Sequence, residues 1–122
     1  MTYQILIDLE ERASRYGGTL GDILSETPTC LWDSPTELEV FWEDRDLSHI
    51  FPQSTHPQLA NNWGNIVPED SSTNRSRGAE VMTQEELELA ELDNQVDALA
   101  IDDTIIDDSD EFAETILELI TA

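Results

Sequence analysis

The stretch from Ala79 to Ala122 carries fifteen carboxylates and no cation, while Met1 to Gly78 carries thirteen against all five of the chain's arginines. There is no lysine, and the formal charge is −23. So acidic a second half folds only if its apolar residues make one helical face and leave the carboxylates outside; otherwise it is a disordered tail. The spacing is helical. Thr83-Gln84-Glu85-Glu86 has the form of a capping box, with Met82 and Leu87 spaced around it as a hydrophobic staple. Leu89, Leu92, Val96 and Leu99 then fall on one stripe, with Glu and Asp over the remainder. Ser109 can cap a last helix in which Phe112, Ile116, Leu119 and Ile120 line one face. Between the two, Ile101 to Ile106 reads as a bend or an edge strand.

At 122 residues the chain has the size of one domain and can bury a modest core without disulfides or metal. The single cysteine, Cys30, cannot form an intramolecular bridge, and no Cys/His spacing fits a structural zinc. As a nucleophile it would lack the His and Asn pattern that such chemistry uses. No apolar run approaches the roughly 20 residues that span a bilayer, and the start lacks the basic and apolar segments of a secretory signal. The expectation is a cytoplasmic protein with no membrane partner.

In the first half, apolar residues recur at helical spacing from Tyr3 to Tyr16, and Gly17-Gly18 supplies a stop. Thr19 can cap a short helix, LGDILSE, whose Leu20, Ile23 and Leu24 face the core. Ser34-Pro35-Thr36-Glu37 combines a capping serine, a proline at the first helical position and a glutamate placed to bond back to the cap. That helix should reach about Glu43, with Leu38, Phe41 and Trp42 inward. LSHIFP then reads as a strand, and Gln53 to Asn62 as a polar loop broken by Pro57 and pinned by Leu59 and Trp63. Asn65-Ile66-Val67 reads as a second strand ended by Pro68. Glu69-Asp70-Ser71-Ser72 starts a short helix that bears Asn74, Arg75 and Arg77 and stops at Gly78. The expected fold is α+β: a helical segment over 1–44, a small ββα unit over 45–78, and acidic amphipathic helices over 79–122 packed on the same domain. From Arg45 to Gly78 three acids (Asp46, Glu69, Asp70) balance three arginines (Arg45, Arg75, Arg77), so the ββα unit escapes the acid load.

Within that unit, His49-Ile50, Pro52-Gln53-Ser54, Gly64-Asn65-Ile66 and Asn74-Arg75 occur in order, with Gly78 after the helix. In this pattern Leu47 to Gly78 resembles the HNH, or ββα-metal, endonuclease superfamily, whose first strand reads like DHI-PQS or EHI-PQS. The match covers about a quarter of the chain. The resemblance implies phosphodiester hydrolysis with one divalent ion, magnesium or manganese. His49 would be the general base, for which an imidazole is suited by its pKa near neutrality. Asn65 would orient His49 or brace the loop, Asn74 would help to hold the metal, and Arg75 and Arg77 would contact phosphates. The departure is Ser48, which stands where the family has Asp or Glu, the anionic ligand that hard cations prefer. Asp46 shares a strand face with Ser48 and is the substitute ligand, but a two-residue step of about 7 Å makes it reach the site only through a water or a bulge. Asp70 is a second substitute.

Two functions follow. One is an HNH-type endonuclease, phage or mobile-element borne, acting on nucleic acid beside a basic DNA-bound partner that offsets the charge. The other is a non-catalytic acidic interaction protein, a DNA mimic or phage assembly component, that uses its carboxylates to engage a basic or DNA-binding protein. The alternative for Arg75 and Arg77 is a solvated face that pairs with the acidic second half rather than with phosphate.

Overall fold

The computed structural model describes residues 3–105 and 109–121. The first helix, α1 (Gln4–Ser14), buries Ile5, Leu6, Leu9 and Ala13. It ends at two glycines that do more than stop it. Gly17 has a φ of +79°, and a Cβ there would lie 2.1 Å from the Asn61 carbonyl oxygen; one on Gly18 would lie 2.3 Å from the Trp63 ring. Only glycine lets the inter-strand loop press so closely on this turn. Thr19 and Asp22 then form a reciprocal capping box for α2 (Leu20–Ser25).

In α3 (Pro35–Glu43), Ser34 Oγ accepts from the Glu37 N–H at 3.2 Å, and Leu38, Phe41 and Trp42 are buried. The expected return bond from the Glu37 side chain is not formed. Glu37 is fully buried, and neither of its oxygens meets a donor among the described residues. The cause is that the start of α3 lies under the end of a later helix, so this side chain faces Asp33 and Asp102 rather than solvent.

Strand β1 (Arg45–His49) pairs antiparallel with β2 (Ile66–Asp70), Arg45 opposite Asp70 and His49 opposite Ile66. Pro68 does not end β2 but sits inside it, opposite Leu47. In a two-stranded ribbon both strands are edges, so a residue lacking an N–H is tolerated where its backbone faces outward. The outward Pro68 carbonyl accepts from Asn94 Nδ2 at 2.8 Å. Asp70 ends the strand and caps α4 (Ser71–Arg77), which stops at Gly78 with φ of +62°. Accepting bonds from the Ser72 hydroxyl and the Thr73 N–H hold the Asp70 carboxyl below its usual range, so the second substitute ligand is occupied as a cap.

Thr83 and Glu86 form the expected capping box, and α5 (Gln84–Thr104) runs 21 residues. The chain from Ile101 to Thr104 is thus helical rather than an edge strand; Ile106 lies outside the described residues. The face that α5 turns to the core is the small one, Ala90, Asn94 and Ala98. Leu89, Leu92, Val96 and Leu99 instead face outward, 56–60% exposed. Helix α6 (Asp110–Thr121), capped by Ser109 at 3.2 Å, buries Phe112 and Ile116. One core cluster unites the segments, with residues from α1, α2, α3, both strands, α5 and α6. No described helix is long and apolar enough to cross a membrane.

Two buried guanidinium groups join the acidic helix to the ribbon. Arg45, 3% exposed, donates to Asn94 Oδ1 at 2.8 Å and Asp97 at 2.7 Å, reaches Asp93 at 3.3 Å and lies over the Phe41 ring. Arg77 forks onto buried Glu69 and reaches Glu86 of α5 at 3.4 Å. Core contacts of α5 are small, so these ions carry much of its docking. Arg45→Ala should therefore lower unfolding free energy by about 3 kcal/mol, measured by urea denaturation, with the acidic half losing protection from hydrogen exchange first.

Glu37 yields a second expectation. Burial, then the neighbouring Asp102 and Asp33, raise its carboxyl from the ordinary 4.5 to about 8. Cys30, which also faces this cluster, has its thiol pushed up by burial, Asp102 and Glu37. The folded state holds the Glu37 proton more tightly than the unfolded chain. Its contribution is therefore complete below pH about 4.5 and is lost as pH climbs toward about 8. In chelator-treated buffer the stability of Glu37→Gln should lack this decline, as followed by denaturant midpoints across that range.

Candidate functional site

The register of the ribbon decides which side chains meet. Because Arg45 lies opposite Asp70, α4 begins beside the start of β1, and Ser71 N–H bonds the Asp44 carbonyl at 2.9 Å. Its first turns therefore cross over Asp46 rather than Ser48. Asp46 accepts from Ser71 Oγ at 2.9 Å and from Asn74 Nδ2 at 3.0 Å. Direct contact between Asp46 and Asn74 replaces the water or bulge expected from spacing along the strand. Measuring from Ser48 was the wrong reference, since the helix and not the strand sets the distance.

Ser48 lies on the same face, 1% exposed, and donates to Glu69 Oε1 at 2.9 Å. Glu69 is in turn held by Arg77, whose side chain is 5% exposed. Arg77 is thus placed inside the protein against Glu69 and Glu86, away from any phosphate approaching from solvent. Arg75 is exposed, and no ion pair joins it to another described residue. The Ser48, Glu69 and Arg77 group explains the small neutral residue at 48: a carboxylate there would face Glu69 within hydrogen-bond distance.

His49 points to the other side of β1. Its ring meets Tyr16 edge-on at 5.0 Å, and Nε2 lies 2.9 Å from the Ala60 carbonyl oxygen. A carbonyl can only accept, so Nε2 carries the proton and Nδ1 is left with its lone pair. Gln53 Nε2 lies 3.3 Å from the ring Nε2 and 3.5 Å from Nδ1, and of the two ring nitrogens only Nδ1 has a lone pair to accept its N–H. Asn65 does not touch the imidazole. Its amide accepts from Phe51 N–H at 2.8 Å and donates to the carbonyls of Phe51 at 3.0 Å and Leu59 at 3.3 Å, tying the two ends of the loop together. Of the two roles the resemblance offered Asn65, its contacts are those of a brace.

These groups open on one cleft of about 540 Å³, whose lining includes Arg12, Arg15, Tyr16, Asp46, His49 and Asn74. No described residue of α5 or α6 lines it. The fold therefore gathers Asp46, His49 and Asn74, and leaves Asn65, Arg75 and Arg77 outside the lining. It adds two cations and a tyrosine from α1 that the motif did not include. Arg12 is committed to the carbonyls of Trp42 and Arg45 at 3.2 and 3.0 Å, whereas Arg15 is exposed at the cleft. A signal for them was present: in a chain with five cations, two fall three residues apart with Tyr16 beside them, on one side of a helix that ends at glycine.

Hard divalent ions bind carboxylate and amide oxygens; Asp46 and Asn74 carry one of each, and they are joined through Asn74 Nδ2–H donated to Asp46 Oδ2 rather than through the amide oxygen. Asp46 offers a carboxylate where Ser48 offers a hydroxyl. One carboxylate and one amide are part of the donor set that a magnesium or manganese ion would take, with water supplying the remainder. Comparison with known protein families, curated proteins and solved structures returns no match.

The Ser48 group gives a double-mutant test. Ser48→Asp should destabilise the protein by about 1–3 kcal/mol by setting a second buried charge against Glu69, and Glu69→Gln in the same chain should recover most of it. Additive losses in urea denaturation would contradict the repulsion.

Proposed function

We propose that the cleft is a metal-dependent phosphodiesterase site of HNH type, acting on nucleic acid. The observation that carries this reading is that Asp46, Asn74 and His49 line one cleft, with the His49 ring fixed through Nε2 on the Ala60 carbonyl. The Ala60 carbonyl fixes Nε2–H and leaves Nδ1 to take the proton of an attacking water. Tyr16 and Gln53 limit rotation of the ring. Arg15 is the cation available to a phosphate at the cleft mouth. When bound by Asp46 and Asn74, a divalent ion supplies charge neutralisation at the scissile phosphate. The formal charge of −23 repels DNA, so a basic partner is part of the reading.

Purified protein with magnesium or manganese should nick plasmid or single-stranded DNA, alone or with a basic DNA-binding protein. His49→Ala should lower the rate by about 10²- to 10⁴-fold, and Asp46→Asn should abolish the metal dependence. Absence of cutting on both substrates, with and without the partner, sinks the reading.

A second reading rests on α5. Its outward Leu89, Leu92, Val96 and Leu99 alternate three and four residues apart, the spacing of a helix-docking seam. Glu88 and Glu91 flank the seam and, with Glu26 and Leu92, line a groove of about 520 Å³. Burial, Glu91 and Asp22 raise the Glu26 carboxyl, which marks a concentration of negative charge suited to lysine or arginine. On this reading the chain is a non-catalytic acidic module, a DNA mimic or assembly component, that docks on a basic amphipathic surface. Its binding to a DNA-binding protein should weaken with salt and be lost on neutralising Glu85, Glu88 and Glu91. It should survive His49→Ala, whereas nicking should not.

A further inference from the structure

The end of α5 meets the start of α3 through three carboxylates. Asp33 comes from the turn before α3, Glu37 from the first turn of α3, and Asp102 from the last turn of α5; one oxygen of each lies within 4.8 Å of the others. Proximity among acids is common on a surface this negative and is not by itself a site. Here Glu37 is fully buried and aimed into the cluster with both oxygens lacking a donor, and Asp33 Oδ1 is a third buried oxygen without one. Buried polar atoms are paired in nearly all folded proteins, and three orphans at one point mark a missing positive partner.

No arginine reaches this cluster. The guanidinium groups of Arg12, Arg45 and Arg77 are engaged at the sheet, and Arg15 and Arg75 are exposed elsewhere. The start of α3 offers about half a positive charge, against which the end of α5 sets a comparable negative one.

We propose that Asp33, Glu37 and Asp102 form a binding site for a hard divalent cation of calcium's size, which ties the end of α5 to the start of α3. Calcium–oxygen bonds run about 2.3–2.6 Å, so ligand oxygens around one ion stand up to roughly twice that apart, and the observed spacing lies inside the limit. Magnesium, with strict octahedral geometry and a shell it usually completes with water, is less suited to three carboxylates held by separate elements. Asp33 and Asp102 are each half-buried, leaving room for water to complete the shell, while Glu37 closes the inner side. The Asp33 carbonyl also accepts from Ser109 N–H at 2.7 Å, so the ion would brace the entry to α6 as well. This site is separate from the sheet cleft, and neither depends on the other.

The test is thermal unfolding of the chelator-stripped 122-residue chain titrated with calcium chloride, against sodium chloride of equal ionic strength. Calcium should raise the midpoint saturably by about 5 °C or more. Asp46→Asn, which removes the cleft carboxylate, should keep the part of the shift that belongs to the cluster of Asp33, Glu37 and Asp102. Glu37→Gln and, as a surface variant that leaves the inner side intact, Asp102→Asn should each lose most of it. A shift in these two variants as large as in the wild-type chain, no saturable shift up to 10 mM calcium (about a thousandfold above a sensor-type affinity), or a response to magnesium but not calcium would overturn the assignment.

Discussion

A buried guanidinium facing an acidic helix is the interaction on which this architecture depends. The ribbon formed by β1 and β2 has two strands, too few to stand alone in water. Its Leu47 and Ile66 join the core formed with α1 and α3, and α5, whose inward residues are small, lies along β2, where Asn94 bonds the Pro68 carbonyl. Arg45 and Arg77 supply there what a larger apolar face would otherwise supply. Each takes a carboxylate or amide from α5 and a second anchor from the ribbon or its neighbours, Phe41 for Arg45 and Glu69 for Arg77. An acidic helix thereby becomes a structural partner of the locally neutral segment, and its surplus carboxylates remain at the surface.

That arrangement leaves α5 with two apolar sides. The inner side, Ala90 and Ala98 with Asn94, allows close approach to β2, and Asn94 satisfies the outward carbonyl of Pro68. The outer side keeps its large residues exposed, which a monomer with no further partner has no reason to maintain. The cleft opens on a different surface, lined by Arg12 of α1 and Arg15 just after it and by no described part of α5. A seam for a partner and a cleft for a phosphate are therefore spatially distinct, so the two proposed functions are compatible as well as alternative.

Much of the order of elements was legible because it is written in local chemistry. The caps at Thr19, Ser34, Thr83 and Ser109 and the stops at Gly17 and Gly78 specify ends without reference to the rest of the chain. What could not be read depended on burial from a distance. Glu37 carried the pattern of a capping-box residue, yet the end of α5 covers it, and no local rule reveals that helix. The stripe from Leu89 to Leu99 has the spacing of a core face, but β2 required small residues and so turned the stripe outward. Pro68 looked like a strand end because its lost N–H was counted without knowing that it points away from β1. In the cleft, His49 and Asn74 were found from their motif, and Asp46 was found from its shared strand face. Tyr16 and Arg15 were not, since the packing of α1 on β1 is a tertiary fact. Glu69 escaped notice for the same reason as Pro68: once the strand continues past the proline, its side chain falls on the face of Ser48.

In the proposed site, the crossing of α4 over β1 makes Asp46 and Asn74 one half of a divalent-ion centre whose other half is the oriented His49. Manganese titration followed by NMR measures this directly, because the ion broadens only signals close to it. The account predicts that substoichiometric manganese broadens the Asn74 side-chain amide and the His49 ring in the wild-type chain and leaves both sharp in Asp46→Asn. Signals that stay sharp in both proteins, or broaden equally in both, would contradict it.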